Sequence, residues 1–361
     1  MPQPPRDESS SVPMAQNDSK RVTLRDIAEK LGVSHVTVSY ALRGIPRVSA
    51  ELKERICEEA RKLGYRPDPM LHALSTYRQI NKPTNIQAAL AWLCCWDPPE
   101  ELHTRKEFHA YWLGVKDVAE KHGYRLEQLV PNQKLSLSRI QQIMQARNIR
   151  GVLIPPPQSS FKQDLAQLDW SKYAVVKFGH SHARLRINLV TSAHVYNTML
   201  AMQKMTELGY RRIGFVSSDY LKRHTLFLGG VLRGQDDLPP ADRVPYLSLP
   251  EQDVVNGDAS RLASWINKVR PDAILTNLRE IPAMIRGLGF RIPTDIGVAA
   301  LSVHDGNADA GIDQNPFEIG KAACESVISL IVHGSFGAPT VPRELLIEGT
   351  WVNGSTLPPK S

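Results

Sequence analysis

The sequence predicts an all-α helix-turn-helix head with a hinge helix, followed by an α/β core built as two doubly wound lobes. Three features of the chain carry that expectation. Two short apolar-periodic runs in "TLRDIAEKLGVSHVTVSYAL", Thr23 to Leu42, are separated only by "GVS". From residue 85 to 354, continuous apolar runs alternate with amphipathic ones. Positive charge is concentrated near the amino end, with 13 Lys/Arg against 7 Asp/Glu between Lys20 and Asn85 in a chain of formal net charge +7.

Five pieces follow in order. Residues 1–20 are polar and rich in Pro and Ser; they read as a disordered tail with no apolar stretch of a secretory signal. Residues 21–66 form the head, 67–84 a linker with one short helix, 85–354 the core, and 355–361 a short tail without heptads. The 361 residues suffice for two or three domains, and 42% hydrophobic with 22% charged content is ordinary for soluble protein. No apolar run approaches the roughly 18–20 residues of a membrane span. Cys57, Cys94, Cys95 and Cys324 show neither C-x-x-C nor Cys/His ligand spacing. A reduced, cytoplasmic setting without a zinc site is therefore expected. The basic head suits a polyanion or a solvated helical face, and charge alone does not decide between them.

In the head, Thr23 can cap a first helix with Asp26 three residues on, and Leu24, Ile27, Ala28 and Leu31 make one apolar stripe. Gly32 ends that helix. Ser34 caps a second helix running to about Leu42, with Val38, Ala41 and Leu42 inward and Val33 just before it. A third starts at Ser49, buries Leu52, Ile56, Ala60 and Leu63, and closes at Gly64. Two helices joined by a tight turn and braced by a third form a helix-turn-helix unit. Its second helix presents Ser34, His35, Val36, Thr37, Ser39 and Tyr40 outward. Hydroxyls suit phosphates, while His, Val and Tyr suit base edges and thymine methyls; no acid lies on that face to repel DNA. On the residues alone, His35 as a plain surface side chain and Tyr40 as a half-buried packing residue stay open.

The linker "DPMLHALS" offers an Asp68 cap, Pro69 at the first helical position and then helix formers. A two-turn helix is marginal alone, so its folding is expected to couple to DNA docking. In the core, "IQAALAWLCC", "YRLEQLV", "GVLIPPP", "YAVVKFG", "RIGFVSS", "DAILTN" and "IGVAALS" read as buried parallel strands. Segments such as "FHAYWLGVKDVAEKHG", "SRIQQIMQARN", "SAHVYNTMLAMQKMTELG", "GDASRLASWINKV" and "PFEIGKAACESVISLIVHG" read as crossover helices. About 270 residues exceed one small sheet, and two lobes with a cleft between them are the natural solution.

The motifs "T-L-x-D-I-A", "G-V-S-x-x-T-V-S", "G-x-P-R-V-S" and "L-G-Y-R-P-x-P" occur together between Val22 and Pro69. On them the sequence resembles the lactose/galactose repressor (LacI–GalR) family, whose effector core shares its fold with periplasmic sugar-binding proteins. The resemblance continues through "GYRRIGFVSS", "PDAILTN", "RIPTDIGVAALS", "DQNPFEIGKAA" and "LIEGTW". It implies a homodimeric transcription regulator, a repressor by family habit, binding double-stranded operator DNA. A small-molecule effector, a sugar or sugar derivative, would sit between the lobes; neither cofactor, metal nor membrane is implied. By the match, His35, Val36 and Tyr40 would read bases, and Thr23, Ser34, Thr37, Ser39 and Arg47 would hold phosphates. Arg43 replaces the family's usual Asn, adding a phosphate contact or only a solvated charge. Leu71, His72 and Leu74 would form the minor-groove hinge, with Leu74 as the wedge that unstacks a base step. The alternative is that Leu71 and Leu74 pack the two hinges together.

For the effector, the match and the strand-end positions point to Trp96, Asp97, Phe108, Tyr111, Arg223, Asn277, Ser302, Asp305 and Gln314. Trp92 and Tyr111 read equally as core. Two departures stand out: Leu278 replaces the acid after Asn277, and "ALSV" leaves Ser302 and Val303 where sugar-binding aspartates lie in the family. A ligand other than a simple pyranose, or a ligand-independent regulator, follows from that loss. No G-x-S-x-G, P-loop, G-x-G-x-x-G or metal-ligand helix appears, so no enzyme is expected. A solute receptor on the same fold is disfavoured by the basic head.

Overall fold

The computed structural model describes residues 22–42, 48–65, 88–132, 134–182, 184–218 and 224–360. The chain separates into two compact units, residues 1–77 and 78–361.

The first unit contains α1 (Leu24–Leu31), α2 (His35–Leu42) and α3 (Ala50–Lys62). Each start is set by a hydroxyl. The Thr23 backbone N–H donates to Asp26 Oδ2 at 2.6 Å and the Asp26 N–H returns to Thr23 Oγ1 at 3.4 Å, a reciprocal capping box. Ser34 Oγ accepts the Thr37 N–H at 3.0 Å, and Ser49 Oγ accepts the Leu52 N–H at 3.4 Å. Gly32, at φ +66°, ends α1 in the left-handed conformation that lets α2 follow after three residues. Ile27, Ala28, Val38, Ala41, Ile56 and Ala60 form the buried centre; Leu24, Leu31, Leu42, Leu52 and Leu63 close its rim. Lys30 reaches Glu59 at 2.7 Å and ties α1 to α3.

The second unit begins as a parallel β/α wind. β1 (Ala88–Leu93), α4 (Glu100–Thr104), α5 (Lys106–Lys121), β2 (Tyr124–Leu129), α6 (Leu137–Ala146), β3 (Gly151–Ile154), β4 (Ala174–Phe178) and β5 (Asn188–Ser192) build the first lobe. The chain then crosses and builds the second lobe. Its elements are α7 (His194–Glu207), β6 (Ile213–Ser218), α8 (His224–Asp236), β7 (Leu247–Leu249), α9 (Glu251–Asn256), α10 (Ser260–Val269), β8 (Ala273–Thr276), α11 (Ile281–Gly287), β9 (Gly297–Ala300) and β10 (Gly311–Asp313). It crosses back as α12 (Pro316–Val332) and β11 (Glu344–Ile347), then crosses a third time into β12 (Thr350–Val352). The first sheet runs β11-β5-β4-β3-β1-β2, all parallel; the second runs β12-β10-β9-β8-β6-β7, with only β12 antiparallel. Leu90 pairs with Gly151 and Ala273 with Gly297, which sets the central strands of each lobe in register.

Each sheet is covered on both faces, as its continuous apolar strands require. In the first lobe, α6 supplies Ile140 and Met144 to one face. On the other, α5 and α12 supply Val115, Val118, Ile319, Ala323 and Val327. A Cβ on Gly114 would lie 2.1 Å from the Phe317 carbonyl oxygen, and one on Gly320 would lie 2.3 Å from that of Tyr111. The two helices therefore touch backbone to backbone. Trp92 is fully buried against Phe178, which assigns it to the core. Burial pushes the Cys94 thiol up to about 11 and that of Cys324 to about 12, so neither is a ready nucleophile.

The three crossings are tied together. Asn197, 2% exposed, donates to Ser192 Oγ and accepts the Gly349 N–H, both at 2.7 Å. Asn315 donates to the Glu348 carbonyl at 2.8 Å. These amides join the first crossing to the third and the second to the third.

Residues 355–360, expected as a loose tail, are instead built into the second lobe. Leu357 is buried beside Tyr210, the Val298 N–H donates to the Thr356 carbonyl at 2.8 Å, and the Lys360 N–H to that of Leu208 at 2.8 Å. The strands β5, β7, β10, β11 and β12 likewise stand beyond those expected. Among the described residues no helix is long and apolar enough to cross a membrane, and no group of three or more His, Cys, Asp or Glu is placed to hold a metal.

Two tests follow from these locks. Thr23→Ala removes the capping box and should cost the head about 1 kcal/mol, seen as earlier denaturant unfolding of its helices with the core transition unmoved. At the carboxyl end, Asp309 accepts the Ser355 N–H, the Ser355 hydroxyl and the Thr356 N–H, each at 2.8 Å. Burial opposes ionisation there, but these hydrogen bonds outweigh it and hold the carboxyl far below the usual range. A depressed carboxylate stabilises above its unfolded value and loses that contribution as pH falls through its folded one. Amide exchange at Thr356–Lys360 should thus stay slow down to strong acid in the parent. It should rise at neutral pH in Asp309→Asn; unchanged protection in that variant would leave Leu357 as the sole anchor.

Candidate functional site

The first candidate surface lies on α2. Its inward side is filled by Val38 and Ala41, 0% and 1% exposed, so rotation along the helix leaves the opposite side to solvent. Ser34, His35 and Val36 are exposed, Val36 at 42%, while Thr37, Ser39 and Tyr40 are half-buried. The first turn carries no acid. Ser34 Oγ and Thr37 Oγ1 lie 2.8 Å apart, which holds both hydroxyls at the positive end of the helix. Thr23, at the start of α1, is also exposed, its side chain engaged in the capping box. Arg43 and Arg47, and the hinge residues Leu71, His72 and Leu74, lie outside the described residues.

The second candidate lies between the lobes at the carboxyl ends of the strands, where wound sheets place ligands. A cavity of about 150 Å³ is bounded by Arg105, Glu107 and Phe108 from the first lobe. Phe227, the ends of β8 and β9, and Gln314 bound it from the second. That volume is below the about 300–1,000 Å³ of drug-sized pockets and suits a small polar molecule. A larger hollow of about 400 Å³ lies between α7 and α8, around Tyr196, Met199 and Leu238. None of its lining residues leaves a buried polar atom unpartnered, so the smaller cavity has the better claim to a ligand.

Inside that cavity several polar atoms wait for partners. Both amide atoms of Asn277 and Oε1 of Gln314 are buried without a hydrogen bond. Gln314, 3% exposed, donates its amide to the Leu301 carbonyl, which aims the side chain. Across from them stands Glu107, 5% exposed, in the first turn of α5. Its carboxylate accepts from Tyr111 Oη at 2.6 Å and from Ser302 Oγ at 3.1 Å, so it spans the lobes. One residue earlier, the Lys106 N–H donates to Asp305 Oδ1 at 2.9 Å. The residue before α5, Arg105, offers no side-chain cap; its guanidinium lies 3.6 Å from Asp305 Oδ2. The first turn of a first-lobe helix is thus capped by a second-lobe carboxylate.

The expected effector residues divide accordingly. Phe108, Asn277, Ser302, Asp305 and Gln314 border the cavity together. Tyr111 is 4% exposed between the rings of Phe108 and Phe178 and reaches the cavity only through Glu107. Trp96 donates to the Pro156 carbonyl at 2.8 Å and stands edge-on to Phe108, behind the lining. Asp97 is exposed, its backbone N–H on Gln158, and does not border the cavity. Arg223 lies outside the described residues. Sequence reasoning passed over Glu107, Arg105 and Arg279; the one local signal was the Glu107–Tyr111 pair, four residues apart on α5.

Comparison with known proteins places these surfaces. The family model described as "Bacterial regulatory proteins, lacI family" matches residues 23–68. The HTH-type transcriptional regulator KdgR of Bacillus subtilis (strain 168) is 22% identical over 342 residues, covering 90% of this chain and 96% of KdgR. Two solved structures share the fold. The CelR–cellobiose complex has a TM-score of 0.53 at 17% identity, covering 93% of this chain and 100% of that one. The lac repressor dimer bound to operator and the anti-inducer ONPF has a TM-score of 0.51 at 17% identity, covering 94% and 99%. Head motif, two-lobed core and near full-length likeness agree: the chain belongs to the LacI/GalR family of DNA-binding transcriptional regulators.

Proposed function

We propose that this regulator is a repressor that binds a pseudo-palindromic operator as a homodimer, its affinity for DNA set by a small molecule held between the lobes. The observation that carries the DNA half is α2: one side packed by Val38 and Ala41, the other presenting Ser34, His35 and Val36 without an acid. Laid in the major groove, such a helix puts His35, Val36 and Tyr40 against base edges. Thr23, Ser34, Thr37 and Ser39, with Arg47, would hold the flanking phosphates. The Ser34 and Thr37 hydroxyls keep acceptor and donor capacity beyond their own contact. A single head with so few base contacts binds weakly, and a two-fold pair reading two half-sites supplies the missing affinity. Leu71, His72 and Leu74 would enter the minor groove between the half-sites, with Leu74 wedging a central base step.

The effector half rests on the unpartnered Asn277 and Gln314 atoms in the interlobe cavity. A ligand there alters the free energy of lobe closure, and through residues 67–84 the population of DNA-competent dimers. The names of the CelR–cellobiose complex and of the lac repressor bound to ONPF support a sugar or sugar derivative as the class. That no helix of the described residues is fit to cross a membrane accords with action on DNA in the cytoplasm.

Selection of binding sites from random duplexes should yield a two-fold symmetric sequence. Affinity for it should fall by orders of magnitude between about 50 mM and about 200 mM salt, because each phosphate contact releases counterions. A salt-independent constant would reject the interface. On the selected duplex, His35→Ala should cost about 1–3 kcal/mol and relax preference at one position per half-site, with non-specific binding unchanged. Equal losses on specific and random DNA would move His35 from reading bases to holding the backbone.

A further inference from the structure

The ends of β8 and β9 bring no acid of their own to the deep side of the cavity, since Leu278 and Ser302 stand where family likeness places carboxylates. A carboxylate is there nonetheless, and it comes from the opposite lobe. Glu107 Oε2 lies 3.1 Å from Ser302 Oγ, and Oε1 lies 2.6 Å from Tyr111 Oη. Both donors are neutral hydroxyls. Among the described residues no Lys, Arg or His forms an ion pair with Glu107. A carboxylate accepts about four hydrogen bonds, so about half of its capacity is unused. Taking such a charge out of water is costly without a counter-charge or a full set of donors.

Two more acceptors share this space. Gln314 Oε1, on a side chain 3% exposed, and Asn277 Oδ1 are both buried without a donor. The arginines at the rim are already engaged: Arg105 Nε lies 3.6 Å from Asp305 and Arg279 Nε lies 3.9 Å from Glu280. The deep side is thus rich in acceptors, carries one uncompensated negative charge, and has no free cation among the described lining residues.

We propose that Glu107 is the specificity-determining acid of the cleft, and that the effector is a molecule without negative charge that donates hydrogen bonds to Glu107, Gln314 and Asn277. Vicinal hydroxyls of a neutral sugar or polyol, or the ammonium of an aminosugar, supply such donors. Sugar acids and sugar phosphates are rejected, because their charge would meet Glu107 with nothing to neutralise it. The proposal rests on the cavity being the effector site. It also makes closure dependent on ligand, since one molecule then bonds to Glu107 on one lobe and to Asn277 on the other.

The test uses full-length protein and Glu107→Gln, each followed by thermal melting and by binding to the selected operator. Probes are neutral sugars and polyols (glucose, cellobiose, inositol), an aminosugar (glucosamine), sugar acids (gluconate, galacturonate) and glucose 6-phosphate. Stabilisation or a change in operator affinity is expected only from the neutral and amino probes. Glu107→Gln should weaken the responding probe by about tenfold or more, as for the loss of a charge-assisted hydrogen bond. Free Glu107→Gln should melt at or above the parent's temperature, because an uncompensated charge has gone and the shape is kept. A response to sugar acids or the phosphate that Glu107→Gln leaves intact would overturn the proposal while sparing the cleft as effector site. No response to any probe, in melting or operator binding, would overturn the effector reading and the proposal with it. A variant that melts well below its parent would make Glu107 structural and equally overturn its role.

Discussion

The whole core depends on three short passages of chain between two sheets, and on the buried amides that lash them together. Asn197 joins the first passage to the third, and Asn315 joins the second to the third. Because each passage is only one or two residues long, the lobes have few backbone torsions about which to move. A buried amide with its bonds complete is rigid and specific; stripped of a partner, it costs more than an apolar residue would. The crossings thus turn two separate winds into one body with a narrow cleft. Gln314 lies within the second passage, so a group facing the ligand is carried on the joint itself.

The head follows another logic. Six small buried side chains form its centre, too few to hold three helices by burial alone. Local chemistry makes up the difference: a hydroxyl at every helix start and left-handed glycines at Gly32 and Gly64. The price of this economy is paid by α2, which gives only two residues fully to the core and keeps the rest for outside use.

What could be read from the sequence divides along the same line. Thr23, Ser34 and Ser49 act within three residues of themselves, so caps, turn and the outward side of α2 were legible before any coordinates. The central strands were legible because β1, β3, β4 and β8 are almost unbroken apolar runs. β11 was not, since Glu344, Leu345 and Leu346 are all exposed and the strand exists only by pairing with β5, some 155 residues earlier. Residues 355–360 look like a tail because their partner, Asp309, lies 46 residues upstream. In the cleft, Phe108, Asn277, Ser302, Asp305 and Gln314 could be named from strand ends and family likeness. Glu107 could not, because it meets Ser302 across 195 residues of chain.

One consequence of the Asp305 contact concerns how the core yields rather than how it holds. The first amide of α5 is satisfied from across the cleft, by an oxygen that departs when the lobes part. Separation therefore unravels a helix end as well as widening a gap, and the two events rise and fall together. A motion that might have been graded becomes abrupt, more like a catch releasing than a door swinging.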